Sequence, residues 1–351
     1  MKKLFALGLS ILILMSNPFI AFASENSEFY AYSTSTSEFD AYAKKELSTH
    51  IFTYYGLIDN SLKLGSGINV FGKEIPTVLY PIWKGNQIVA TFNVVYYNGQ
   101  YSGSYSEGNV EQLNHARKIA THDNPIKLIK TQDHFVYVVN EVAYDMTEGV
   151  GQIIYDINLP DLSGQKLIKV DTANKLEHIQ VNTRAAASWN LPWNPSEHYP
   201  DSNIYCHAYS LSPILRSMGY SQYTVQYIID AFDGAPGKDI TLLNPYLLEE
   251  GFNTDYSPTG SMDLTSAVNM IYYNRKHILV GLRVLTPSST ANHYGTITGY
   301  SSVNGNYTYK IYEPTHNGVN GKTTMPASSK TFTNSDGSTF VWDAGYITNI
   351  R

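Results

Sequence analysis

The spacing of apolar residues changes character along this chain. Ala43, Leu47, Ile51 and Tyr55 recur at steps of four, which predicts a helix over residues 40–57. From residue 68 to 105 the pattern becomes strand-like. Residues 88–96 read IVATFNVVY, a β-branched and aromatic run, with Gly85-Asn86 and Asn98-Gly99 at its ends as hairpin turns. Val110, Leu113, Ala116 and Ile119 fall on one face of a second helix over 107–120. Short strands are predicted at 126–129, 135–139, 151–155 and 166–170. The first region is therefore a mainly antiparallel sheet with one or two helices.

Residues 171–188 are polar and then small, ending in Arg184 and three alanines. That is linker composition. Arg184 is a candidate processing site in an exposed segment, with an ordinary linker as the alternative. After Trp189 the pattern predicts helices over 206–218, 224–232, 242–250 and 263–273. Strands follow over 278–285, 294–300, 307–313, 339–342 and 345–350. Helices first and sheet last is an α+β order. No internal repeat is present.

The N-terminus has the form of a signal peptide. Lys2 and Lys3 precede an apolar run over residues 4–15, Pro18 ends it, and Ala21-Phe22-Ala23 offers a cleavage pattern. The run is too short for a comfortable membrane span, and no later segment could cross a bilayer. The expected organisation is a signal peptide over 1–23, a β-rich domain over 24–184 and a second domain over 185–351. The expected product is secreted and extracellular. A net charge of -6 over 351 residues argues against nucleic acid or an anionic membrane as the partner.

Export changes the meaning of Cys206, the only cysteine. Secreted proteins usually pair their cysteines. A single one is a buried structural residue, an intermolecular link or a working thiol. A nucleophilic cysteine acts as its thiolate, which a helix N-terminus and a neighbouring imidazolium both favour. Asp201-Ser202-Asn203 has N-cap character just before an apolar helical run that begins at Cys206. His207 points about 100° away on such a helix and reads as a groove or surface residue. His293 is the better base. It opens a β-run, Asn292 to Tyr300, in which Gly295 and Gly299 leave room for close packing.

Glu313 ends the next strand and could orient the imidazole. If Ile297 and Ile311 both face the core, His293 and Glu313 share that face. A two-residue turn at Asn304-Gly305 conflicts with this. It would pair Val303 with Asn306 and put His293 and Glu313 on opposite faces. The catalytic reading thus requires an odd-length loop. His198, His207 and Cys206 lack a four-ligand zinc spacing, so neither metal nor organic cofactor is expected.

Tyr205-Cys206-His207-Ala208-Tyr209-Ser210 resembles the nucleophile signature of papain-like cysteine peptidases, and most resembles the staphopain group of secreted bacterial enzymes. His293 to Gly299 is similar to that group's histidine strand. Glu313-Pro314 stands where the group usually has Asn-Pro, and the aromatic C-terminal strands with Trp342 and Tyr346 are similar too. The resemblance covers about residues 189–351. It implies a papain-like domain, preceded by an inhibitory half-barrel pro-domain that is removed on activation. It also implies peptide hydrolysis by a Cys206–His293–Glu313 triad.

Two positions depart from the family pattern. Six residues before the cysteine the family has a Gln that donates to the oxyanion, and here Pro200 cannot donate. Asn203 is the substitute candidate, beside the backbone N–H of Cys206. Losing one such donor costs about 10²–10³ in rate. Glu313 in place of Asn should still stabilise an imidazolium. The expected protein is a monomeric zymogen that acts on polypeptides, with a protein inhibitor as a second class of partner. A peptidoglycan amidase or endopeptidase of the same clan, or a catalytically degenerate secreted binding protein, are the alternatives.

Overall fold

Ala43, Leu47 and Ile51 are buried on one face of α1 (Ser37–Tyr55), as their spacing predicts, while Tyr55 is exposed at its end. The computed structural model describes residues 29–33, 37–57, 59–147, 149–162, 168–171, 177–178, 186–193, 204–235, 239–285, 292–314 and 321–351. The predicted signal peptide, Arg184 and Asn203 lie outside the described residues, as does the expected boundary at 184/185.

The first unit also contains β1 (Tyr30–Ser33), β2 (Leu62–Leu64), β3 (Ile68–Phe71), β4 (Thr77–Lys84), β5 (Gln87–Tyr97), β6 (Gln100–Ser106), α2 (Val110–Ile119), β7 (Lys127–Lys130), β8 (Phe135–Val139), β9 (Val142–Asp145), β10 (Ile168–Asp171) and β11 (Glu177–His178). The main sheet runs β11-β2-β4-β3-β7-β8-β9, with β5 joining β4 to β6. Its pairs are antiparallel except β3 with β7. Asn98 and Gly99 both take positive φ in the β5–β6 turn, which suits their residue types. The strand predicted over 151–155 does not form. Ile153 makes a single bridge to Tyr144, in a segment whose Ile153 and Tyr155 are exposed.

The second unit contains β12 (Ala186–Asn190), α3 (Cys206–Ser217), α4 (Val225–Ala231), α5 (Ile240–Glu249), β13 (Asp255–Ser257), α6 (Leu264–Tyr272), β14 (Ile278–Val284), β15 (Asn292–Val303), β16 (Asn306–Tyr312), β17 (Lys322–Pro326), β18 (Thr331–Thr333) and β19 (Thr339–Thr348). The fold class is α+β. An antiparallel sheet runs β13-β19-β14-β15-β16-β17, with β12 on β15 and β18 on β19. The two strands predicted over 339–350 are one, because an irregularity opposite Val280–Leu282 lets β19 run on. Gly281 and Gly345 permit it. A Cβ on Gly281 would lie 2.3 Å from the Ala344 carbonyl oxygen, and Gly345 has φ of 98°.

Each unit has its own cores. In the first, α1 covers Ile82, Phe92 and Tyr105, and α2 covers Trp83, Ile88 and Tyr137. In the second, α3, α4 and α5 gather with Leu279, Tyr294 and Ile347 in one cluster, and α6 packs through Ala267 and Ile271 into another with Trp342, Ile297 and Ile311. Where the two units meet, hydroxyls take over. The Thr324 hydroxyl accepts from the Tyr105 N–H at 2.7 Å and lies 2.6 Å from His50 Nδ1. Thr53 and Ser301 bond through their hydroxyls, and the Ser104 hydroxyl donates to the Thr333 carbonyl at 2.7 Å.

Candidate active site

Cys206 is the first residue of α3 and is 1 % exposed. The cap position before it belongs to Tyr205, whose side chain makes no capping bond, while the predicted Asp201-Ser202-Asn203 cluster lies outside the described residues. The Tyr205 carbonyl starts the helix by accepting from Ala208 N at 2.9 Å and Tyr209 N at 3.1 Å. The Cys206 N–H, at the first helical position, has no intrahelical acceptor by geometry.

His207 is not on the surface or in a groove. Its ring is fully buried, 5.6 Å from the Phe232 ring and 6.4 Å from that of Tyr205. The rotation along the helix that takes it away from Cys206 turns it into the helical core, since α4 and the following turn cover that side.

β15 brings His293 to Cys206, and a bulge decides how. The two-residue turn at Asn304-Gly305 does form, and Val303 pairs with Asn306. That register continues to Gly299 with Lys310. One residue, Thr298, is then left unpaired, so Ile297 faces Ile311 and Thr296 faces Tyr312. The extra residue reverses the parity that the even turn imposes. The predicted odd-length loop is therefore wrong, and the shared face it was meant to supply is nevertheless present. Extended one step, the register sets Glu313 opposite Gly295, diagonal to His293. Gly295 has no side chain to intervene, and a Cβ there would already be 3.0 Å from the Tyr312 carbonyl oxygen.

His293 Nε2–H donates to Glu313 Oε1 in a close contact. The Cys206 side chain is the imidazole's other hydrogen-bond partner, which leaves Nδ1 as the nitrogen that meets the sulfur. Burial pulls the His293 pKa down, but negative charge on Cys206 and Glu313 outweighs it. The imidazole is held well above its ordinary 6.5. Glu313 is 1 % exposed, and burial raises its carboxyl above the ordinary value, while His293 and a bond from Asn334 pull the other way. The Phe340 ring packs tilted against the imidazole, with centroids 5.1 Å apart.

Asn334 and Phe340 are the site residues that sequence reasoning missed. Asn334 sits in Thr333-Asn334-Ser335-Asp336-Gly337, a stretch whose composition signals only a turn. Asn334 Nδ2 donates to Glu313 Oε2 at 3.2 Å.

Among the described residues no group of three or more His, Cys, Asp or Glu side chains could hold a metal ion, and no helix is long and apolar enough to cross a membrane. No protein-family model and no curated protein matches the chain. A buried thiol, an imidazole and a carboxylate stand in series, so a proton can pass between sulfur and ring while the carboxylate holds the ring's orientation and charge.

Proposed function

We propose that this chain is a secreted cysteine peptidase of papain-like architecture, made as a precursor whose first unit is a pro-domain. The observation that carries the reading is His293 held between Cys206 at a helix start and a buried Glu313. A thiol kept only for packing needs neither partner. The Cys206 thiolate attacks a peptide carbonyl carbon and forms a C–S bond. The His293 imidazolium gives its proton to the departing amine as the C–N bond breaks. Neutral His293 then takes a proton from water, whose oxygen displaces the sulfur and releases the acid. Glu313 keeps the ring in place throughout. The Cys206 N–H is one oxyanion donor, and Asn203 is the candidate for the other.

The hydroxyl-lined contact between the units supports the precursor reading. Ser104, Thr53, Ser301, Thr324 and Thr333 are all buried there. Faces of this kind remain compatible with water once the units part, unlike an apolar core. Arg184 remains the candidate processing position. Export through the N-terminal leader, a monomeric state and polypeptide substrates belong to the same proposal.

The test uses the secreted chain under reducing conditions. Casein and purified peptidoglycan are digested in parallel, and the new N-terminus is found by mass spectrometry. Cleavage of casein, with a start between Thr183 and Trp189, is expected for the native chain and absent from Cys206→Ala. A Cys206→Ala protein that still cleaves casein overturns the proposal. Cleavage of peptidoglycan alone would transfer the same chemistry to cell-wall peptides.

A further inference from the structure

Glu313 has two carboxylate oxygens, and the triad uses one. The other accepts from Asn334 Nδ2 at 3.2 Å. Asn334 is 2 % exposed, and its amide has a fixed orientation, because Ser338 N donates to Asn334 Oδ1 at 3.0 Å. The NH₂ group is therefore turned towards Glu313 by the same turn that supplies it. This bond favours the charged carboxylate against burial and against the nearby Asp336, both of which disfavour it.

The turn does not stand alone. The first unit grips it at four neighbouring places. Ser104 Oγ donates to the Thr333 carbonyl at 2.7 Å and accepts from Thr333 N at 3.1 Å. Gly108 admits Ser335 so closely that a Cβ on the glycine would lie 2.3 Å from the serine Cβ. Lys73 Nζ donates to the Gly337 carbonyl and to Thr339 Oγ1, each at 2.8 Å. Residues 333, 335, 337 and 339 thus meet the first unit, while Asn334 meets Glu313.

We propose that Asn334 is the positioning residue for Glu313, and that the first unit sets its place by gripping the 333–339 turn. The inference rests on the peptidase reading above. It gives the first unit a role in the geometry of the site that is separate from blocking a groove.

The test is the pH dependence of Cys206 alkylation by iodoacetamide in the full chain, with folding checked by circular dichroism. Cys206 is the only cysteine, so the mass shift is unambiguous. The native chain should react far faster than free cysteine at pH 6. Asn334→Ala should slow the reaction by about tenfold there, the scale of one hydrogen bond to a charged group. At pH 9, where thiols in general are largely ionised, the two should agree within about twofold. Asn334→Asp keeps the volume and the acceptor for Ser338 but turns an oxygen towards Glu313. It should slow the reaction at pH 6 at least as much as alanine does, whereas a merely structural role predicts near-native behaviour. Ser104→Ala should slow it about threefold, as expected for a weaker, indirect effect. Native rates at pH 6 in Asn334→Asp overturn the positioning role, and native rates in Ser104→Ala overturn the role of the first unit. A native chain no faster than free cysteine overturns the peptidase reading itself, and this inference with it.

Discussion

His293 and Glu313 share one face of the β15–β16 hairpin because a single residue, Thr298, is unpaired between them and the turn. Without it the Asn304-Gly305 turn would send the two side chains to opposite faces. Deleting Thr298 should restore a regular ladder and flip every residue from Asn292 to Ile297. Rapid iodoacetamide labelling of Cys206 at pH 6 should vanish and the melting temperature should fall, since Ile297 and Tyr294 would leave their cores. Undiminished labelling in the deletion variant would show that the bulge does not set the pair.

Glu313→Gln keeps the shape and removes the charge. The raised His293 pKa depends on that charge, so the imidazolium should be lost at lower pH than in the native chain. Peptide cleavage should fall by about 10²–10⁴, with its alkaline limb moved towards neutrality. A pH–rate profile measures both. An unshifted alkaline limb would mean that Glu313 does not support the imidazolium.

Gly299 faces backbone. A Cβ there would lie 2.4 Å from the Trp189 carbonyl oxygen and 3.1 Å from Asn190 Cα, and neither can swing aside. Gly299→Ala should therefore cost about 1–3 kcal/mol by pushing β12 off β15. Denaturant unfolding would detect this, and a midpoint equal to the native one would refute it.

His50 is fully buried at the contact between the units, and burial lowers its pKa from 6.5 to about 3. It is neutral in the folded chain and charges on unfolding. Its contribution is complete above pH 6.5 and is lost as pH falls towards 3, an effect on the order of 5 kcal/mol at most. His277, lowered to about 4 by burial against a counter-pull from the Pro192 carbonyl, acts in the same direction. Acid should thus weaken the hold of the first unit on the second. Calorimetry from pH 7 to 4 should show a smaller loss of melting temperature in His50→Gln than in the native chain. Equal losses would place the acid sensitivity elsewhere.

Much of this protein is legible in the chain itself. Local spacing alone predicts α1, β5 and its hairpin, α2 and the helices before the second sheet, because burial of one face imposes a period that neighbouring residues display. The candidate residues Cys206, His293 and Glu313 are legible for a related reason. Few residue types can act as nucleophile, base and orienting carboxylate, and here they stand at a helix start and at two strand ends.

Parity, burial and support belong to the tertiary structure. A bulge at Thr298 carries no local signal, since its gain is the packing of Ile297 and Ile311 into one core. His207 lies inside because α4 and the following turn close over it, which no spacing along α3 reveals. Asn334 reads as a turn residue and is one, and its amide oxygen is bound by its own turn. That its nitrogen meets Glu313 depends on two segments folding together. The first unit then holds that turn from contacts more than two hundred residues away in sequence.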